Sequence, residues 1–243
     1  MNKNPDSRMK ILALETVDIS ASVALMENME IIGTKFLSPR QRSAQFLNVA
    51  VTELLKEAGW RPTEVELVAL PVGPGSFTGL RVGVTFAKTF SYITGAAAVG
   101  LNTLDILAAN APAEFRKISV ALDAQRGEVI VRDYEETSSD AALFHHMKPL
   151  GEMRLLNFET WTKTLEPGMA VTGPILARKG GFLPADVPRV PEEFWQISPI
   201  LVGKMAWERF SSGQADSIWE MLPIYSRPSA AEERLMEARK KPI

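Results

Sequence analysis

The 243-residue chain contains no cysteine. Disulfides, thiolate nucleophiles and zinc–thiolate sites are therefore excluded. Histidine is almost missing as well: only His145 and His146 occur, side by side, so an imidazole metal site or a Ser-His-Asp relay has one place to come from. Neither sign of charge dominates. Lys plus Arg number 27 against 29 Asp plus Glu, a formal net charge of -2, which argues against a domain built to wrap nucleic acid. Long hydrophobic runs are absent too. The longest uncharged stretch, Thr89 to Leu104, is interrupted by Gly95 and Gly100 and falls short of the ~20 apolar residues of a membrane span. Near the start, only Ile11 to Leu14 are apolar before Glu15, too few for a secretory signal. The expectation is a cytoplasmic protein with no membrane contact. Its polar residues 1–8 read as a disordered tail, or as the product of a start codon upstream of Met9.

What is present suits a folded domain pair. The chain is 46% hydrophobic and 23% charged, and at ~150 residues per domain it is one large domain or two small ones. Lys10–Glu15 and Ser20–Glu27 read as strands around a turn at Val17-Asp18-Ile19, with a third strand over Ile31–Leu37. Ser43–Ala58 then has a helical pattern ended by Gly59. Val65–Leu70 is a short apolar run typical of a buried strand. A loop, Pro71–Gly75, leads to a helix over Ser76–Thr94; a strand (Ala97–Leu101) and a short helix (Thr103–Asn110) follow. A meander followed by strand–helix units implies a mixed sheet with helices on its faces. Past Pro112 the pattern restarts with strands at Lys117–Ala124 and Glu128–Tyr134. Between Thr137 and Pro191 only Met169–Thr172 stands out as a strand, followed by a turn at Gly173-Pro174. Ser198–Phe210 and Ser229–Lys240 read as helices. The expected division is a tail (1–8), an N-terminal lobe (9–112), a C-terminal lobe (113–222) and a closing segment (223–243) returning to the first lobe.

The most informative stretch is the loop Gly73-Pro74-Gly75-Ser76-Phe77-Thr78-Gly79-Leu80-Arg81. Glycines after a strand let backbone approach a ligand, and a helix N-terminus favours anions. Gly73, Gly75, Ser76, Thr78, Gly79 and Arg81 are thus candidates for an anion or nucleotide loop. The alternative is a tight turn with Ser76 as the helix N-cap. No Gly-Lys-Ser/Thr follows, so this is not a Walker A loop. The third glycine is one residue late for a dinucleotide fold, and no acid occurs from Leu67 to Leu104 to hold a ribose.

In the helix itself Gly75, Gly79, Gly83, Ala87, Ser91 and Gly95 recur every four residues. An interior glycine costs about 1 kcal/mol relative to alanine, and close approach of another backbone would offset that. The partner is either the chain's own sheet or helix, or a second chain. In the preceding helix the polar positions Gln45, Asn48, Thr52, Glu53, Lys56 and Glu57 occupy a limited arc. The remaining apolar arc is wider than one sheet-facing stripe requires. Two neighbouring helices with surplus small or apolar surface make half of an intermolecular bundle.

KILALET, GPGSFTGLRVG, GLNTLDILA, LDAQRGEVI and LPIYSRPSAAEE together resemble the TsaB (YeaZ) family in order and spacing, specifically over Lys10–Tyr134 and again over Leu222–Glu233. The resemblance implies an α/β fold of two ribonuclease-H-like lobes of the actin-like ATPase superfamily. It implies a non-catalytic paralogue of TsaD, the transferase that places a threonylcarbamoyl group on the adenosine beside the anticodon of ANN-decoding tRNAs. The implied partners are TsaD, docked through the first two helices, and the ATPase TsaE, with TsaC supplying the threonylcarbamoyl-adenylate. Carried onto this chain, the contact would be Phe46, Val49, Ala50 and Glu53 on one helix and Gly79, Gly83, Ala87 and Ser91 on the other. The isolated chain would form homodimers, and tRNA would be touched only indirectly or weakly.

No catalytic residue, intrinsic cofactor or metal is expected, with ATP or ADP and metal bound only alongside partner subunits. Glu15-Thr16-Val17-Asp18 stands where relatives usually carry Asp-Thr-Ser and where actin-like ATPases handle metal and phosphate. An actin-like nucleotide-binding enzyme using the Gly73–Gly79 loop is the alternative. The adjacent histidines would project about 100° apart on a helix, unlike the one-faced pair of the catalytic paralogue, and are expected on an exposed loop or strand. Asp123, Arg126 and Glu128 form a charged turn, either solvated or holding the lobes or a partner. Trp195, Trp207 and Trp219 read as core or lobe-closing aromatics. Arg239, Lys240 and Lys241 read as a frayed helix end.

Overall fold

The computed structural model describes residues 8–18, 21–38, 43–137 and 145–227. Most of the expected tail, the expected helix Ser229–Lys240 and its basic end lie outside these described residues. The chain opens with β1 (Lys10–Glu15), β2 (Ser22–Glu27) and β3 (Glu30–Phe36), an antiparallel meander. Asn28 turns β2 into β3 with a left-handed backbone, a conformation asparagine tolerates. Next come α1 (Ser43–Glu57), β4 (Leu67–Gly73), α2 (Phe77–Thr94), β5 (Ala97–Asn102) and α3 (Thr103–Ala109). β4 and β5 run parallel to β1, giving the sheet order β3-β2-β1-β4-β5. β4 extends beyond the expected Leu70, because its pairing with β5 continues to Gly73 across an irregularity at Val72. All seven of its residues are buried, as a strand covered on both faces requires.

The second lobe repeats the plan in shorter form. It comprises β6 (Lys117–Asp123), β7 (Glu128–Glu136), β8 (Met147–Pro149), β9 (Arg154–Asn157), α4 (Phe158–Thr162), β10 (Ala170–Thr172) and α5 (Leu176–Lys179). β7 runs antiparallel to β6, β8 and β9, while β10 adds to β6 in parallel. Both lobes are thus mixed sheets flanked by helices, the α/β class expected from the sequence. β8, β9, α4 and α5 are three to five residues long, too short to leave a periodic pattern.

The expected lobe boundary at residue 222 is corrected by α6 (Pro199–Ser211). This helix packs on β1, β2, β4 and β5 of the first sheet. The cause lies in the strands. Leu12, Leu14, Val68 and Leu70 point to one face, under α1 and α2. Ile11, Ala13, Leu67 and Ala69 point to the other, where α3 brings Ile106 but further cover has to come from beyond residue 112. Val202 and Ala206 of α6 supply that cover, and both are fully buried. Trp207 packs there partly buried, and Trp195 packs in the second lobe. Trp219 departs from expectation: it is 72% exposed, with only an edge contact to Tyr92. Among the described residues no helix is long and apolar enough to cross a membrane.

Candidate functional site

α2 is the element around which the candidate residues are arranged. The Ser76 hydroxyl accepts a hydrogen bond from Gly79 N at 3.3 Å, and the helix ends on left-handed Gly95. Gly79, Gly83, Ala87 and Ser91 are buried. A Cβ at Gly79 would fall on the Thr16 carbonyl oxygen, one at Gly83 on the Thr16 hydroxyl, and one at Gly75 on the Val17 side chain. The small-residue ridge therefore admits the chain's own backbone, at the turn that leaves β1. The expected partner contacts Gly79, Gly83, Ala87 and Ser91 are corrected accordingly, since these positions face inward. Ala50 is buried as well. Phe46 is half-buried, Val49 is 48% exposed, and Glu53 is exposed with its carboxylate 2.6 Å from Lys35 Nζ.

The solvent side of α2 carries what the sequence reading passed over. Val82, Phe86 and Phe90 are only partly buried, and Ile93 is 72% exposed. Phe86 and Phe90 stack with centroids 5.7 Å apart. The spacing 82, 86, 90, 93 is a second apolar stripe at helical period, and that was the available signal. With Phe46 and Val49 of α1 it forms an apolar face across both helices. Lys35 Nζ bridges Glu53 and Glu57 at its margin.

The second region is a cleft of about 860 Å³ between the lobes. Val17, Asp18 and Gly75–Thr78 line it from one side, and Leu122–Arg126, Ile175 and Arg178 from the other. The glycine loop lies at its mouth, but its glycines are already used. Gly73 has a φ of +123°, and a Cβ there would strike the Ile224 carbonyl; Gly75 and Gly79 meet Val17 and Thr16. Arg81 lies 4.0 Å over the Phe77 ring and donates from Nε to the Tyr225 hydroxyl at 3.0 Å. Of the anion-loop candidates, Gly73 and Gly79 are buried while Gly75, Ser76, Thr78 and Arg81 are exposed. A loop whose close approaches are made to its own chain does not fit a phosphate cradle.

Glu15 is turned away from a ligand role in the same manner. It is buried, and its Oε1 accepts from Val17 N at 2.6 Å and Asp18 N at 3.0 Å. Burial pushes its carboxyl up to about 7, against the lowering effect of those two hydrogen bonds.

The charged turn is a solvated tip, with Asp123, Gln125 and Arg126 exposed, but its ion pairs are not local. Asp123 lies 3.2 Å from Arg178, Glu128 pairs with Arg227, and Gln125 and Arg126 adopt left-handed backbone. The histidines are not on an exposed loop. The His145 side chain is 6% exposed, with Nδ1 3.1 Å from the Ala111 carbonyl oxygen. His146 Nε2 lies 3.2 Å from Glu208 of α6. The two rings turn to different partners, and among the described residues no group of three or more His, Asp or Glu is placed to hold a metal.

A family model described as TsaD, tRNA N6-adenosine threonylcarbamoyltransferase, matches residues 31–187. The chain is 26% identical over 239 residues to the Escherichia coli tRNA threonylcarbamoyladenosine biosynthesis protein TsaB, covering 93% of this chain and 98% of that protein. The chain belongs to the TsaB (YeaZ) family, within this TsaD-like group. TsaB of Bacillus subtilis is 31% identical over 127 residues. That match spans 52% of this chain and only 56% of the Bacillus protein. Among solved structures, YeaZ from Pseudomonas aeruginosa superposes with a TM-score of 0.72 at 23% identity, covering 89% of this chain and 99% of that one. A second Pseudomonas aeruginosa structure, described as having similarity to peptidase YeaZ, gives the same TM-score and identity. These structural likenesses concern the two-lobed fold.

Proposed function

We propose that the chain serves tRNA threonylcarbamoyladenosine biosynthesis as a non-catalytic subunit that docks on a TsaD-type transferase and holds it in its active form. The observation that carries this reading is the apolar face of Phe46 and Val49 on α1 with Val82, Phe86, Phe90 and Ile93 on α2, which the described residues cover only in part: Val49 and Ile93 are exposed and the other four partly buried. Apolar surface concentrated on two adjacent helices favours helix-against-helix association. The TsaB relatives and the TsaD-like family model support the choice of partner. A paralogous TsaD would present equivalent helices, giving a pseudo-symmetric four-helix contact. In its absence, a second copy of this chain takes the same face.

The separate partners of the two histidines and the filled glycine loop support a scaffolding rather than a chemical role. ATP or ADP and metal then belong to the assembled complex, where a TsaE-type ATPase joins at the junction, and tRNA is held chiefly by the partner. Such work places the protein in the cytoplasm. The test is size-exclusion chromatography with light scattering on this chain mixed with TsaD from the same organism. A heterodimer peak is expected, and it should vanish with Val49→Asp plus Ile93→Asp. Separate peaks for the unmodified proteins would refute the docking.

A further inference from the structure

The chain crosses covalently between lobes twice, at α3, whose Leu104, Leu107 and Ala108 pack into the core of the second lobe, and before α6, and the side chain of Asn110 at the end of α3 ties the two crossings together. Its Nδ2 donates to the carbonyls of Phe194 and Gln196 at 3.0 and 3.1 Å. The second crossing leads into α6, on one face of the first sheet. His146 and Glu208 meet on that side too. This is the arrangement of a hinge: two strands of chain, pinned at one place.

A third crossing is non-covalent and uses the other face of the sheet. The closing segment is anchored first at the edge of β5. Asp216 N donates to the Ala98 carbonyl, and the Asp216 carboxylate is held by Gly100 N at 2.7 Å and by Arg209. The segment then runs under α2, where Met221 and Ile224 join the α1/α2 cluster. Lys88 Nζ donates to the Met221 carbonyl. Ile224 N donates to the Val72 carbonyl at 2.7 Å, pressed so close that only glycine fits at position 73. Tyr225 packs on Phe77 with centroids 4.7 Å apart. Two residues later Arg227 leaves this lobe for the other. It pairs with Glu128 and reaches the Gln125 carbonyl at 3.4 Å, at the tip of the β6–β7 hairpin. Tyr225, Ser226 and Arg227 all line the cleft between the lobes.

We propose that Leu222–Arg227 is a latch for that cleft. Its near end is bolted to the first lobe by backbone hydrogen bonding and ring packing. Its far end is the Arg227 side chain, paired with Glu128 and reaching the Gln125 carbonyl, with the paired side chains 17% and 37% exposed. Breaking the Arg227–Glu128 pair frees the second lobe to swing about the Asn110 hinge, and the cleft opens. The near end is the permanent anchor because a buried backbone bond has no replacement, whereas the ion pair is open to solvent at its Glu128 end and exchanges there with water and salt. The latch thus controls access to the cleft without any residue of the docking face being moved.

The absence of cysteine allows a direct test on the full chain. Spin labels at Lys56→Cys on α1 and Lys163→Cys after α4, both exposed sites, report the interlobe distance by pulsed electron paramagnetic resonance. Arg227→Ala should give a longer and broader distance distribution, with circular dichroism unchanged. The reversed pair, Glu128→Arg with Arg227→Glu, should restore the original distribution. Should Arg227→Ala fail to fold, Glu128→Gln breaks the same pair from the other end and should give the same broadening. Variants whose distribution superimposes on that of the parent would overturn the latch. So would broadening that the reversed pair leaves uncorrected, since the ion pair would then not be its cause.

Discussion

The two sides of α2 face opposite demands. Inward, Gly79, Gly83, Ala87 and Ser91 have been reduced to almost nothing, so that the turn after β1 lies directly against the helix. Beside them, Val82, Phe86 and Phe90 are only partly covered by the described residues and Ile93 is exposed. Small residues admit a backbone; large ones left in solvent invite a partner. Intramolecular fit and the proposed docking are thus separated by about a quarter turn of one helix, and mutations on the two faces should differ in kind.

The largest effect is expected inside. Gly83→Arg pushes a long charged side chain against buried Thr16 and should cost more than about 4 kcal/mol, enough to deplete folded protein in a urea titration. A stable Gly83→Arg variant that merely lost its partner would reverse the assignment of the two faces. Next comes Glu15, beneath the same turn. Its carboxyl is raised by burial from 4.5 to about 7, so the folded state holds its proton more tightly than the unfolded state does. Stability from this group is complete below pH 4.5 and is lost as pH rises through 7, by about 3 kcal/mol. Glu15→Gln removes the titration. The difference in unfolding free energy between variant and parent should therefore move in the variant's favour between pH 4.5 and 8, and a pH-independent difference would show that Glu15 does not titrate there.

Outside, Val49→Asp with Ile93→Asp should alter stability by only about 0.5 kcal/mol per site while abolishing co-elution with the transferase. Thermal melts alongside the chromatography separate the two effects. The smallest response is expected from nucleotide: calorimetric titration of the isolated chain with ATP and magnesium should give only heats of dilution. A saturable isotherm would mean that the glycine loop opens.

Much of this was legible in advance where a local pattern suffices. The meander, α1, α2 with its Ser76 cap and Gly95 stop, and the restart at Lys117 all follow from periodicity and from Gly and Ser at helix ends. The glycine ridge was legible as a close approach, but not as an approach to Thr16. A Cβ-free ridge says only that something comes near. On α2 the expected contacts were therefore placed on the ridge that packs against Thr16, next to the apolar stripe beside it. The histidines were expected in the open because adjacent polar residues in an unpatterned stretch suggest a loop. They are instead enclosed by Ala111 and by Glu208 of α6, residues 34 and 62 positions away along the chain.

By itself the sequence determined the repertoire. It settled the absence of thiol chemistry, the α/β alternation with its restart past Pro112 and the family resemblance, because each depends on composition or on neighbours within a few residues. Only the tertiary structure decided which face of α2 is inside, that α6 crosses back to close the first sheet, and that Arg227 meets Glu128 across the cleft. Those outcomes depend on contacts between residues far apart in the chain, and a periodic pattern records that a surface must be covered without recording what covers it.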